Sequence, residues 1–325
     1  MSSEFKITML GASGVGKTSL LTAMYEQFES TLNEMNLQFV PDSETETAAI
    51  LAEKLGQLRS LTEEFEATGG VEGDDDIRYF NFDIGNLGKR PFLRLTFVDY
   101  PGYYLYPKSD KTHKQFVKDS IAESEAVLVA IDAPALMEKK GKWNEYINRP
   151  TQVKILCQSV FQDLRSPKLV IFAPVKCEKY VRNASESEKL IKRIHEDRGY
   201  QSLFDFLNSN SLRDKIASVI TPVQTVGSVI FSRIEEKEKQ PYFYFHKISH
   251  DAGYKPQDCE QPLLYLLRFI LKLEMEQRKQ SWLWLGFVRN WLNLDKDLEK
   301  SLQNAVTCNN QNTSIVVQGK NWLEI

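Results

Sequence analysis

In the stretch GASGVGKT, the residues Gly11, Gly16, Lys17 and Thr18 stand at the spacing G-x-x-x-x-G-K-[ST]. The chemistry that such a set supports is the holding of phosphate. Glycine tolerates positive φ and lets the main chain come close to a ligand, and Gly14 adds a further such point. Main-chain N–H groups can then converge on phosphate oxygens, helped by the positive N-terminal end of the helix that follows. The residues expected to bind in this way are Gly11, Ser13, Gly14, Val15, Gly16, Lys17, Thr18 and Ser19. Lys17 would reach the outer phosphates, and the Thr18 hydroxyl would ligate Mg²⁺.

Holding a phosphate chain is not yet cleaving it. LRLTFVDYPG supplies the next group: an apolar strand pattern delivers Asp99 at its end, followed by Tyr100, Pro101 and Gly102. The carboxylate can hold Mg²⁺ through its water shell, which makes Thr18 and Asp99 the expected metal residues. Gly102 lets a backbone N–H approach a terminal phosphate, so its contact would report whether that phosphate is present. Lys17 and Gly102 are therefore expected to take part in catalysis.

The elements that must position these groups are written around them. FKITML reads as a strand, and Leu20, Leu21, Met24 and Phe28 share one face of a following helix. Strand, loop and helix in that order are the setting that the phosphate motif requires. Leu51, Leu55, Leu58, Leu61 and Phe65 predict a second helix over about residues 44–67, and TGGVEGDDD an exposed acidic loop. Phe80, Phe82 and Ile84 alternate with polar positions, as do Leu93, Leu95 and Phe97. With GNLG between them, these two runs predict a β-hairpin. AVLVAIDA, KLVIFAPVK and IASVI read as buried strands. TQVKILCQSVFQDL, SESEKLIKRIHEDR and QPLLYLLRFILKLEMEQRKQ read as helices, and EEKEK as a solvated turn. The alternation predicts an α/β fold, a mostly parallel sheet with one antiparallel strand from the hairpin and helices on both faces. Residues 1–280 are expected to form the domain, with a helical insertion at about 42–68. Residues 281–325, with Trp282, Trp284, Phe287, Trp291 and Leu294, are expected to be a C-terminal appendage.

Composition excludes several classes. The 325 residues carry a formal net charge of −3, so no global basic field recruits nucleic acid. The four cysteines are scattered with no C-x-x-C, which argues against a disulfide frame or zinc site and for a reducing compartment. The start MSSEFKITML is not a secretory signal, and no run of about eighteen apolar residues could span a membrane. A cytoplasmic protein is expected. The histidines stand in no H-E-x-x-H motif and are expected to serve the surface or the core.

A phosphate loop, an antiparallel hairpin and then D-x-x-G resembles the Ras-like and translation-factor class of P-loop GTPases. The form VDYPG also resembles bacterial YcjX-like and double-GTPase-like proteins. The resemblance runs over about residues 4–235. It implies a bacterial switch protein that binds GTP with Mg²⁺ and hydrolyses it slowly to GDP, with a protein effector or activating partner. It also implies that VKCE stands where the family reads the base with N-K-x-D. Lys176 would stack on the ring, and Glu178 would accept the two guanine hydrogens from one methylene further out, while Val175 cannot replace the Asn. Thr225 and Val226, with Gly227, would touch the base through the backbone, and Thr68 would bring the first-switch oxygen to Mg²⁺ and the reaction. KSDKTHKQFVKD would be the second-switch helix. The family's Gln after D-x-x-G is replaced by Tyr103, with Tyr104 next, and a phenol is a poor base at neutral pH. Two other readings stay open: a nucleotide-gated interaction protein with little or no hydrolysis, and a P-loop ATPase.

Overall fold

The computed structural model describes residues 3–33, 37–67, 75–277 and 314–324. From the N-terminus, β1 (Ser3–Leu10) leads through the glycine-rich loop into α1 (Lys17–Asn33). There follow β2 (Leu37–Pro41), α2 (Thr47–Ser60), the two-residue β3 (Glu66–Ala67), β4 (Arg78–Asn86) and β5 (Leu93–Asp99). Next come α3 (Lys111–Glu123), β6 (Ala126–Asp132), the short α4 (Ala133–Met137) and α5 (Asn144–Ile147), α6 (Pro150–Phe161) and β7 (Lys168–Val175). The remainder is α7 (Ala184–Glu196), α8 (Arg198–Leu207), β8 (Ile216–Ile220), β9 (Val229–Lys237), β10 (Gln240–Lys247), α9 (Gln261–Gln277) and β11 (Ile315–Gln318).

Eight strands form the main sheet in the order β11-β8-β7-β6-β1-β5-β4-β2. The five from β8 to β5 are mutually parallel, and β4 returns antiparallel to β5 as the expected hairpin. Side-chain alternation gives each face its own core. In β6, Ala126, Leu128 and Ala130 face one core, with α1, α2 and α9, while Val127, Val129 and Ile131 face the other, with α3, α6, α7 and α8. In β7, Leu169, Ile171 and Ala173 divide from Val170 and Phe172 in the same way. Strands buried on both faces read as continuous apolar runs, which is why the sequence marked them as buried. The mostly parallel α/β architecture with helices on both faces is the one expected.

Four features depart from the sequence reading. β2 was not foreseen. It pairs antiparallel with β4, and its Phe39 ring stacks on Phe82 at 4.6 Å. Five residues ending in Pro41 give too short a pattern to register, and Pro is tolerated there because the strand is at the sheet edge. The helix expected over 44–67 stops at Ser60, because Phe65 turns away to stack on His250 at 4.5 Å and Glu66–Ala67 join a second, three-stranded sheet in the order β3-β10-β9. EEKEK is only half a turn: Glu235, Glu236 and Lys237 end β9, and the reversal falls on Glu238 and Lys239, both at positive φ. At the far end of the chain, β11 pairs antiparallel with β8, and Trp322 Nε1 donates to the Asp214 carbonyl at 3.0 Å. Ile315–Gln318 thus form a strand of the main sheet, while Trp282, Trp284, Phe287, Trp291 and Leu294 lie outside the described residues. Among the described residues no helix is long and apolar enough to cross a membrane.

Candidate functional site

The loop from Gly11 to Thr18 joins the carboxyl end of β1 to the first turn of α1, where ligands collect in parallel α/β sheets. Gly14 and Gly16 take φ of 78° and 109°, a region closed to most other residues. Lys17 is buried. Its Nζ lies 3.1 Å from the Gly11 carbonyl and 3.6 Å from Asp99 Oδ1. Because β1 and β5 are parallel neighbours, Asp99 ends its strand beside this loop. Thr18 Oγ1 donates to Asp99 Oδ2 at 2.8 Å, while Asp99 Oδ1 is buried with no hydrogen-bond partner. A hydroxyl and a carboxylate with an unsatisfied buried oxygen are hard donors of the kind Mg²⁺ takes, so the residues present fit that ion.

Gly102 lies directly against the loop. A Cβ there would stand 2.0 Å from Ser13 N and 2.3 Å from the Ala12 carbonyl carbon, so no other residue fits this approach. The two tyrosines that follow part company. Tyr103 borders the cavity, whereas Tyr104 turns away and stacks on His113 of α3 at 4.0 Å. Asp110 caps α3 by accepting from Thr112 N at 2.8 Å, which makes the expected helix after D-x-x-G.

At the other end, Lys176 sits at φ 53° just past β7, and its Nζ donates to the Gly14 carbonyl and to Asp132 Oδ2, both at 2.7 Å. Asp132 is buried, and it also caps α4 through Ala135 N at 2.9 Å. Glu178 is only 5% exposed, and burial pushes its carboxyl above the usual range. Its Oε1 accepts from the N–H groups of Val226 at 3.3 Å and Gly227 at 3.2 Å.

These groups border one cavity of about 500 Å³, in the range of small-molecule sites. Its apolar wall comes from Leu58, Leu61, Ala67, Val229 and Phe245, that is, from the end of α2 and the three-stranded sheet. Asp75, Asp76 and Arg78 close a further side. The structure brings Ser13, Gly14, Gly16, Lys17, Thr18, Ser19, Asp99, Gly102, Lys176, Glu178, Thr225 and Val226 to this cavity. Gly11 and Val15 are not on it. Val15 is fully buried, and a Cβ at position 11 would meet its side chain at 2.6 Å, so the two pack beneath the loop. Glu178 and Val226 are at the expected place but satisfy each other, because a buried carboxylate takes the nearest N–H donors. Thr68 lies outside the described residues.

Sequence reasoning missed Asp132, Arg78 and the apolar wall. Asp132 had a signal, a carboxylate at the end of a buried strand like Asp99. The wall had none, since its residues come from segments far apart in the chain. His246 and His250 stand at H-x-x-x-H spacing, but not on one helix, since His246 is in β10 and His250 in the turn after it, and Phe65 packs on both at 5.6 and 4.5 Å. Among the described residues no group of three or more His, Cys, Asp or Glu is placed to hold a metal.

No family model and no curated protein matches the chain. Among solved structures, it is similar to translation elongation factor SelB from Methanococcus maripaludis in complex with a GTP analogue, at 13% identity and a TM-score of 0.33 over 69% of this chain and 31% of that one. It is similar to the GTP-bound Ski7 GTPase-like domain of S. cerevisiae at 15% identity and a TM-score of 0.42, over 86% and 52%. It is also similar to a chain of the signal recognition particle receptor SRb-GTP/SRX complex from Chaetomium thermophilum, at 14% identity and a TM-score of 0.38, over 70% and 93%. The chain thus spans about a third of the length of SelB.

Proposed function

We propose that this chain binds a guanine nucleoside triphosphate with Mg²⁺, hydrolyses it slowly to the diphosphate, and acts as a nucleotide-dependent switch. The observation that carries the reading is the join of Lys17 and Thr18 to Asp99, which puts phosphate-binding and metal-binding groups in one cavity. Loop N–H groups and Lys17 hold the outer phosphates. Thr18 and Asp99 would hold Mg²⁺, which when bound offsets charge on the phosphate oxygens. The Thr18 hydroxyl keeps its hydrogen bond to Asp99 Oδ2 while its lone pairs remain available to the ion. Gly102 N–H senses the terminal phosphate. In this reading Thr68 adds a first-switch oxygen.

Guanine is favoured because both halves of a guanine reader border the cavity, bonded to each other. Guanine N1–H and N2–H can replace the Val226 and Gly227 N–H groups on Glu178, and the freed N–H groups can then turn to guanine O6. Adenine offers neither pairing. Calorimetric titration with Mg²⁺–GTP, GDP and ATP is the test. Tight guanine binding that collapses in Glu178→Ala is expected. Equal or stronger ATP binding, with Glu178→Ala silent, would overturn the guanine assignment. Tyr103 in place of a water-orienting Gln supports a second reading, a nucleotide-gated interaction protein with little hydrolysis, bacterial and cytoplasmic like the first. Turnover with added Mg²⁺ separates the two.

A further inference from the structure

We infer that Arg78 is a catalytic residue, the cationic group that this chain itself supplies to the transferring phosphoryl group. The inference rests on the triphosphate-hydrolysing reading above. It begins with register. Along the β4–β5 hairpin, Ile84 opposes Leu93, Phe82 opposes Leu95, Phe80 opposes Phe97, and Arg78 opposes Asp99. Residues directly opposed in an antiparallel pair project to the same face, with Cβ atoms about 4.5–5.5 Å apart. The first three pairs all lie in the core beneath α1, so that face is fixed. Arg78 is the next residue on it, one step beyond the core and half-buried, and it borders the cavity together with Asp99 and Tyr103.

Among the described residues three cations border the cavity: Lys17, Lys176 and Arg78. Lys176 is committed to the base end through Asp132 and the Gly14 carbonyl. The phosphate end is therefore served by Lys17, from the loop, and by Arg78, from the facing strand. In hydrolysis a water oxygen bonds to the terminal phosphorus while the bond to the leaving phosphate oxygen breaks. Negative charge spreads over the transferring group and the leaving oxygen, and the water's proton ends on the released phosphate. A guanidinium presents a planar fork of donors to such oxygens, which a single ammonium cannot match. With Tyr103 unable to orient the water as an amide would, charge stabilisation has to carry more of the acceleration.

The test compares wild type with Arg78→Ala and Arg78→Lys in single-turnover hydrolysis of Mg²⁺–GTP, in GDP affinity by calorimetry, and in thermal unfolding. Loss of such an arginine is expected to slow hydrolysis by about a thousandfold. GDP affinity should stay within about threefold, because the diphosphate lacks the group that Arg78 addresses. Added guanidinium ion should restore part of the rate to Arg78→Ala and none to Arg78→Lys. Hydrolysis at the wild-type rate in Arg78→Ala would overturn the inference. So would a rate loss matched by lost GDP affinity and a lower unfolding temperature without rescue, which marks a structural strand residue. Wild type that binds guanine nucleotide but turns none over overturns the hydrolysing reading and this inference with it, whereas wild-type turnover kept in Arg78→Ala overturns this inference alone. Wild type that binds no guanine nucleotide overturns the underlying reading, and this one with it.

Discussion

Glu178 Oε1 is held by the Gly227 N–H at 3.2 Å, across 49 residues of chain, so the carboxylate that would read a base is also the clasp of the loop that would touch it. A carboxyl pushed up by burial is protonated at a pH where an exposed one is not. Only the ionised form accepts both guanine hydrogens. GDP affinity is therefore expected to fall as pH drops through this raised pKa, beginning above the ordinary value of 4.5. Glu178→Gln should bind weakly at every pH tested. A wild-type affinity that is flat between pH 8 and pH 5 would sink the assignment.

Gly102→Ala places a methyl 2.0 Å from Ser13 N, so the D-x-x-G loop has to lift from the phosphate loop. The expected loss is one charge-assisted hydrogen bond to the terminal phosphate, about 10- to 100-fold in triphosphate affinity. Diphosphate affinity should barely change. Competition binding with GDP and a non-hydrolysable triphosphate checks this, and equal losses for both ligands would contradict it.

Asp258 carries a pH signature of its own. Burial, with Glu260 beside it, pushes its carboxyl from 3.8 to about 7. Between those values the native state keeps a proton that the unfolded chain has released, so stability falls as pH rises across the window. Above about 7 the charge is present in both states, and its burial cost is felt in full. Asp258→Asn should remove this slope and unfold at a higher temperature than wild type at pH 8, with the difference shrinking toward pH 4. Parallel stability curves for the two proteins would refute it.

Phe39 tests the strand that the sequence concealed. It is 1% exposed, stacked on Phe82 at 4.6 Å and edge-on to Phe28 at 5.3 Å. Phe39→Ala is expected to cost about 3–5 kcal/mol in urea unfolding, whereas Val40→Ala, on an exposed neighbour, should cost under about 0.5 kcal/mol. A Phe39→Ala cost below about 1 kcal/mol would mean that β2 is not packed on the sheet.

What could be read beforehand was whatever is local in the chain. GASGVGKT marked the loop between β1 and α1 because its pattern sits in eight consecutive residues, and β6 and β7 announced themselves because burial on both faces leaves an unbroken apolar run. VDYPG placed Asp99 and Gly102 for the same reason. Pairings across the chain stayed hidden. Nothing near Glu66–Ala67 says that it will join Phe245 and His246 in a sheet, and this contact, not helix propensity, ends α2 early. Val15 fits the motif as well as Ser13 does, yet the loop turns one side chain under and the other out, which only the three-dimensional path decides. Arg78 looked like an ordinary strand residue until its register against Asp99 was known.

β11 begins 95 residues after β8 ends, position 315 against position 220, and among the described residues it is the strand that pairs with β8 on that edge of the sheet. A ribosome adds about 5–20 residues each second, so a newborn chain has made β8 about 5–20 s before the strand that pairs with it. During that interval the edge is a template for any passing strand. The cavity's last residues, Val229 and Phe245, are made within that interval, before the strand that pairs with β8.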